Sequence, residues 1–377
     1  MPLRRPRGKA GGTSIRESGH CPVAGPFRGA RTPGGSTCHG CYPPARTRRP
    51  LRAAAALALS AALLTAGCVS SGDAARDEKA PAPSLKGFPV TVDNCGVRTT
   101  YDRPPSRVVT IHQHPAELML ALGLRDRMVG TAFPDSAVLP GLREDFEAIP
   151  ELAQKEPSFE TVLDTGPDLV YGGYGSAFAE NEGRSREAFA DAGIDTHLNR
   201  EYCGEKRVTM EDTYDEIRTV GRIFGVTGRA DRLVADLRGR VGRAAGAVRD
   251  EPEVPVFVYD SGDKTAFTAG GKSLGTELIR LAGGRNVFAD LDDVFGDVSW
   301  EQVVERRPEV IAVYDYTGAG SVEQKKEFLL AQPALADVPA VKNRRFVVLP
   351  LTATLVGVRS AYAVEDLARG LHPESFR

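Results

Sequence analysis

The sequence predicts an α/β protein of two similar lobes. Each is built on a mainly parallel sheet, one long rigid helix joins them, and a ligand cleft lies between them. Three observations carry that expectation. The first is an internal duplication. Ser158-Phe159-Glu160-Thr161-Val162-Leu163, then Pro167-Asp168-Leu169-Val170, returns 141 residues later as Ser299-Trp300-Glu301-Gln302-Val303-Val304, then Pro308-Glu309-Val310-Ile311. Nine positions match in class without a gap. Each copy reads as a short helix capped by Ser and stopped before Pro, followed by a buried apolar strand. Two copies of one helix–strand unit mean two similar lobes. The second observation is the alternation of strand and helix patterns in both halves, the rhythm of a parallel sheet. The third lies between the copies. Over residues 227–249, Ala230, Leu233, Val234, Leu237, Val241, Ala244, Ala245 and Val248 recur at three- and four-residue steps, the mark of an amphipathic helix. It would be roughly 35 Å long, enough to reach from one lobe to the other. Gly239, Gly242 and Gly246 each weaken it by about 1 kcal/mol relative to Ala, so packing must hold it.

The chain of 377 residues suits two cores better than one. Its net charge of −2 hides a split. Residues 1–52 hold ten Arg, one Lys and a single acid, Glu17, and residues 53–67 hold no charge, so the remainder carries −12. An acidic body makes nucleic acid a poor partner and a basic protein surface a better one.

The basic N-terminus has the plan of an export signal. Arg46-Thr47-Arg48-Arg49-Pro50-Leu51-Arg52 is a positive segment, and Ala53–Leu64 is an apolar run too short to span a bilayer. Leu64-Thr65-Ala66-Gly67-Cys68 then looks like a bacterial lipobox, although Thr65 stands where Leu is usual. Residues 1–67 are read as an N-terminal extension and lipoprotein signal peptide, with Cys68 lipidated. The export route, general secretory or twin-arginine, stays open. Residues 1–45 read as an over-extended gene start or a cleaved leader. Cys38-His39-Gly40-Cys41 with His20-Cys21 falls short of two well-spaced zinc-ligand pairs. Residues 68–85 form a flexible tether. Cys95 and Cys203 remain as an even pair in an exported domain, which reads as a disulfide.

The N-terminal lobe spans 86–226. Phe88–Val92 and Arg98–Tyr101 suggest a hairpin, Arg107–Ile111 a core strand, Ala116–Leu122 a helix closed by Gly123, and Arg127–Gly130 a second strand. The first repeat copy follows, then a helix over 184–192, a strand over 195–198 and a helix over 210–224. After the interlobe helix 227–249, with Thr227 as its N-cap, the C-terminal lobe spans 250–377. It opens with strand Val254–Tyr259, then helix Leu274–Leu281 and a short strand Asn286–Phe288. The second repeat copy, helix Lys325–Leu330, strand Arg345–Leu349 and helix Ala361–Leu371 complete it.

Catalytic patterns are absent. Gly270-Gly271-Lys272-Ser273 resembles the end of a phosphate-binding loop, but that loop needs Gly where Ala266 stands. The pair is a turn and Ser273 a helix cap. No nucleophile elbow and no His-Glu-x-x-His occurs, so the chain is read as no enzyme. The strand ends say more, because ligands sit outside the carboxyl ends of strands in open parallel sheets. There the sequence puts His112-Gln113-His114, Tyr171 with Tyr174, Tyr259, and Tyr314 with Tyr316. Imidazole and phenol at sheet mouths suit a metal chelate or a polar, partly aromatic ligand.

Pro105-x-Arg107-Val108-Val109, Glu117-x-x-x-Ala121-Leu122-Gly123, both repeat copies and the single helix 227–249 together resemble the periplasmic-binding-type solute receptors of ABC importers for ferric siderophores, haem and cobalamin. The likeness covers essentially all of 86–377. It implies a largely preformed cleft that moves little on binding, and a monomer. It also implies that a surface Glu of each lobe, here Glu160 and Glu301, docks on Arg residues of the permease dimer that works with an ATPase. A ferric siderophore is the first expectation for the ligand, an iron chelate held by the His and Tyr residues above, with Arg359 facing its negative charge. No resident cofactor is expected, and no residue is assigned to bind metal directly. Cobalamin, haem, a bare metal ion or another small cofactor are the alternatives, as is a lipid-anchored interaction protein without transport. The expected location is the outer face of the cytoplasmic membrane.

Overall fold

A computed structural model describes residues 85–204 and 206–377. The expected signal peptide, the expected lipidation site Cys68 and the expected tether up to residue 84 lie outside the described residues. The first elements are antiparallel strands β1 (Val90–Asn94) and β2 (Val97–Tyr101). Their turn, Cys95-Gly96, has both φ values positive, at 53° and 81°, as the two-residue hairpin turns that match strand twist require. Cys95 is disulfide-bonded to Cys203, 108 residues away.

The first lobe runs β3 (Val108–Ile111), α1 (Gln113–Ala121), β4 (Met128–Ala132), α2 (Arg143–Glu147), β5 (Glu151–Ala153), α3 (Phe159–Leu163), β6 (Leu169–Gly172), α4 (Arg186–Asp191), β7 (Asp195–Leu198) and α5 (Met210–Ile223). Its five strands are parallel in the order β5-β4-β3-β6-β7. The chain steps outward from β3 to one side, then crosses to β6 on the other, so the topological switch point lies between β3 and β6. Helix α1 starts at Gln113, earlier than the expected Ala116, because Pro115 falls in its first turn, where a missing N–H costs nothing.

Helix α5 ends on Gly225 at φ 66°. The Val226 N–H reaches Gly221 O and the Gly225 N–H reaches Arg222 O, the paired bonds of a Schellman turn. That turn makes Val226 the N-cap of α6 (Thr227–Ala247) and Thr227 its first helical residue, correcting the expected cap. Helix α6 buries Ala230, Val234, Leu237, Val241 and Ala244. Their cluster is continuous with Leu118 and Ile217 of the first lobe and with Leu278 and Leu367 of the second. One core thus runs through both lobes along α6, which is the packing that its glycines demand.

The second lobe runs β8 (Val254–Tyr259), β9 (Ala266–Ala269), α7 (Leu274–Leu281), β10 (Gly284–Asn286), β11 (Phe295–Val298), α8 (Trp300–Arg306), β12 (Val310–Asp315), α9 (Val322–Ala331), α10 (Pro339–Lys342), β13 (Phe346–Pro350) and α11 (Ser360–Leu371). Four strands are parallel in the order β10-β8-β12-β13, so this switch point lies between β8 and β12. The antiparallel pair β9–β11 and the short β5 were not expected, and β10 ends where the predicted strand 286–288 begins. Ser273 caps α7 by accepting the Thr276 N–H, as the turn reading requires. Among the described residues no helix is long and apolar enough to cross a membrane.

Candidate functional site

In each lobe the switch point opens a crevice at the strand ends, and polar residues follow those ends in both. In the first lobe His112 leaves β3 with φ 79°. Its ring Nδ1 accepts the backbone N–H of Tyr174 at 3.2 Å. The ring proton therefore sits on Nε2, which points to Glu156 Oε1 at 3.4 Å. Ser176 Oγ donates to the same oxygen at 2.7 Å. Burial holds His112 below the usual imidazole range, while its hydrogen bond draws Glu156 down to about 2. Gly173, just past β6, is a close approach that tolerates no side chain: a Cβ there would meet His114 Cε1 at 2.4 Å and His112 Cβ at 2.9 Å.

His114 is 2% exposed, and neither ring nitrogen has a hydrogen-bond partner. Burial and the neighbouring His112 push it down to about 3, so it is neutral. Tyr174 packs edge-on against both imidazoles, at 4.4 Å from His112 and 5.2 Å from His114. Its hydroxyl donates to Asp135 Oδ2 at 3.1 Å. The other oxygen, Asp135 Oδ1, is buried without a partner. Burial raises that carboxyl to about 7 against the pull of the Tyr174 bond. Buried polar atoms left unpaired are costly unless a ligand or water completes them, and here three surround one tyrosine.

The second lobe presents Tyr316, whose hydroxyl donates to Asp260 Oδ1 at 2.6 Å. Lys325 donates to Asp260 O and Tyr314 O, both at 2.6 Å. The lobes already touch over part of the cleft. Thr317 donates its N–H and hydroxyl to Asp135 O, each at 3.0 Å, and Ser136 Oγ lies 3.0 Å from Thr352 Oγ1.

Of the residues expected at the strand ends, His112, His114, Tyr174 and Tyr316 border the crevices. The rest have other partners. Tyr171 points to the α5 side and donates to the buried Glu216 at 2.5 Å, beside His197. Tyr314 is buried against α7, where Gly275 leaves room for its hydroxyl. Tyr259 lies on the opposite sheet face, stacked with Phe328 and donating to Gly262 O. Arg359 makes a two-pronged ion pair with Glu117, Nε to Oε2 at 2.5 Å, and also donates to Ala137 O. Gln113 bonds Glu117 one turn along α1 and holds the Ser136 N–H. Arg359 therefore clamps the lobes together through Glu117, Gln113 supports that carboxylate from within the first lobe, and the arginine's charge is already met.

Sequence reasoning missed Asp135, Glu156 and Tyr202, the last 5.8 Å from Tyr174. Tyr202 lies just past β7, so the strand-end rule that found Tyr174 would have found it too. Among the described residues no group of three or more His, Cys, Asp or Glu side chains is arranged to hold a metal ion.

The family described as periplasmic binding protein matches residues 108–353, both sheets and α6 included. The chain belongs to the periplasmic binding protein family. Its members are non-catalytic solute-binding proteins that deliver ligands to ABC permeases. YvrC of Bacillus subtilis, an uncharacterized ABC transporter substrate-binding lipoprotein, is 27% identical over 325 residues, 85% of this chain and 96% of its own. A cobalamin-binding protein of Halobacterium salinarum is 29% identical over 62% of this chain and 61% of its own. Among solved structures, a periplasmic binding protein from Veillonella parvula superposes with a TM-score of 0.70 at 29% identity, covering 75% of this chain and 97% of that one. An ABC-type Fe3+-hydroxamate transport protein from Saccharomonospora viridis gives 0.66 at 28% identity, covering 76% and 99%. This periplasmic binding protein thus shares its two-lobed α/β fold with solute receptors.

Proposed function

We propose that this periplasmic binding protein captures a ferric siderophore of the hydroxamate class and hands it to an ABC permease dimer powered by its ATPase. Charge is the observation that carries the substrate class. The strand ends offer neutral imidazoles, phenols and the carboxyls of Asp135, Glu156 and Asp260, while Arg359 and Lys325 are bound to protein acceptors. Such a cleft suits a neutral or cationic chelate, as ferric trihydroxamates are, and repels a trianionic tricatecholate. The Saccharomonospora viridis likeness supports the same class. Cobalamin is the second reading, favoured by the Halobacterium salinarum relative and by the aromatic lining.

Calorimetric titration with ferrioxamine B, a ferric tricatecholate, haem and cyanocobalamin tests both. Ferrioxamine B should bind with Kd below about 1 μM, and the tricatecholate at least a hundredfold more weakly, about 2.7 kcal/mol. A tricatecholate that binds tightest would overturn the charge argument. Cyanocobalamin binding tightest would install the second reading.

The protein is proposed to sit on the outer face of the cytoplasmic membrane through a lipid on Cys68, a reading that YvrC's being a lipoprotein supports. Cys68→Ala should abolish incorporation of labelled fatty acid and move the protein out of the membrane fraction. Undiminished labelling of that variant would remove the anchor from Cys68. Glu160 and Glu301 are proposed to dock on the permease.

A further inference from the structure

We infer that Tyr202 is a ligand-contact residue of the cleft, an aromatic wall set at right angles to Tyr174, and that the Cys95–Cys203 disulfide positions it. For its ligand this rests on the substrate reading above. Tyr202 keeps 38% of its surface exposed, and its ring meets Tyr174 edge-on at 5.8 Å and 83°, beside the residues that follow the first lobe's strand ends. Tyr174 is itself fixed through its hydroxyl on Asp135. Among the described residues the Tyr202 hydroxyl makes no hydrogen bond.

What sets Tyr202 apart from an ordinary surface tyrosine is how its backbone is held. It sits in a single three-residue 3-10 turn, Arg200–Tyr202, too short to fix an aromatic by its own contacts. Three outside ties replace them. Asn199 accepts the Glu201 N–H at 3.1 Å and donates to Val356 O in the other lobe at 2.9 Å. Glu201 Oε2 accepts the Val356 N–H at 2.8 Å. Cys203, the next residue, is bonded to Cys95 in the rigid turn of β1–β2. A side chain needed only for solubility requires none of this. A large ring held still and exposed is what a stacking surface for a planar or aromatic-edged ligand requires.

The test uses the mature chain and the four chelates named above. Tyr202→Ala should weaken the tightest of them about fivefold to tenfold, the range of an aromatic contact, whereas Tyr202→Phe should stay within about twofold. The pair Cys95→Ser and Cys203→Ser, with Tyr202 intact, should lose a similar factor. Adding Tyr202→Ala to that pair should cost nothing more, since residues acting as one unit are not additive. Losses that multiply would overturn the positioning role of the disulfide. Should the double-serine chain fail to fold, nitration of Tyr202 in the intact protein gives an independent readout: bound ligand should protect the ring. Equal nitration with and without ligand, or Tyr202→Ala within twofold of the parent, would overturn the inference alone. If the parent binds none of the four chelates, the substrate reading fails and this inference falls with it.

Discussion

Reversing both Glu160 and Glu301 to Arg is expected to stop uptake in cells while leaving the purified protein's ligand affinity and melting temperature unchanged. Each carboxylate is the second residue of a short helix whose first turn is capped by Ser158 or Ser299. Each is held below the usual carboxylate range by the helix's own backbone N–H groups and the capping Ser, so both are ionised throughout physiological pH. Both are exposed, and among the described residues neither joins an ion pair. The two charges stand one per lobe, at the same point of the duplicated unit.

A bland account exists. An acid in the first helical turn is favourable with no partner at all. It predicts small, independent losses of stability and normal uptake. Docking predicts intact folding and an uptake rate lowered more than about a hundredfold, because a complementary charge at an interface becomes repulsive. Transport assays in cells lacking their own receptor decide between them. Uptake at the parent rate with both residues reversed would return Glu160 and Glu301 to plain helix ends.

The elements of the fold were legible where the pattern was local. The repeat was visible because Val162 and Val303 must fill equivalent core positions, and both are at most 1% exposed. Helix α6 was visible because its apolar stripe has the helical period. The faces of the strands were not. Leu169-Val170-Tyr171 and Val310–Tyr314 are apolar throughout, as strands covered on both sides are, so no alternation told which way Tyr171 and Tyr314 point. Strand parity sent both to the α5–α7 side, and sent Tyr259 to the opposite cluster. The role of Arg359 was hidden for another reason: its partner Glu117 lies 242 residues away, and nothing in either neighbourhood announces the pair.

That pair should be the most sensitive point for stability. Arg359 and Glu117 are both buried, at 6% and 0% exposure, and come from opposite lobes. The carboxylate also accepts the Gln113 amide N–H at 3.0 Å and the Leu139 N–H at 3.1 Å, and the guanidinium donates to Ala137 O at 2.6 Å. The two charges thus share one hydrogen-bonded set, and the pair is stable only as that set. Arg359→Met leaves a buried carboxylate with two neutral donors, and Glu117→Leu leaves a buried guanidinium with a single carbonyl. Each single change is expected to cost about 3–5 kcal/mol in equilibrium urea unfolding, the usual penalty for stranding one member of a buried ion pair. Changing both together should recover most of that loss, because two apolar side chains need no partner. Ligand affinity of the double variant, measured where it is folded, should fall less than that of Tyr174→Ala, since the clamp closes the lobes and does not face the ligand. Single variants that unfold within about 1 kcal/mol of the parent would mean that the continuous core along α6, rather than this ion pair, holds the two lobes in register.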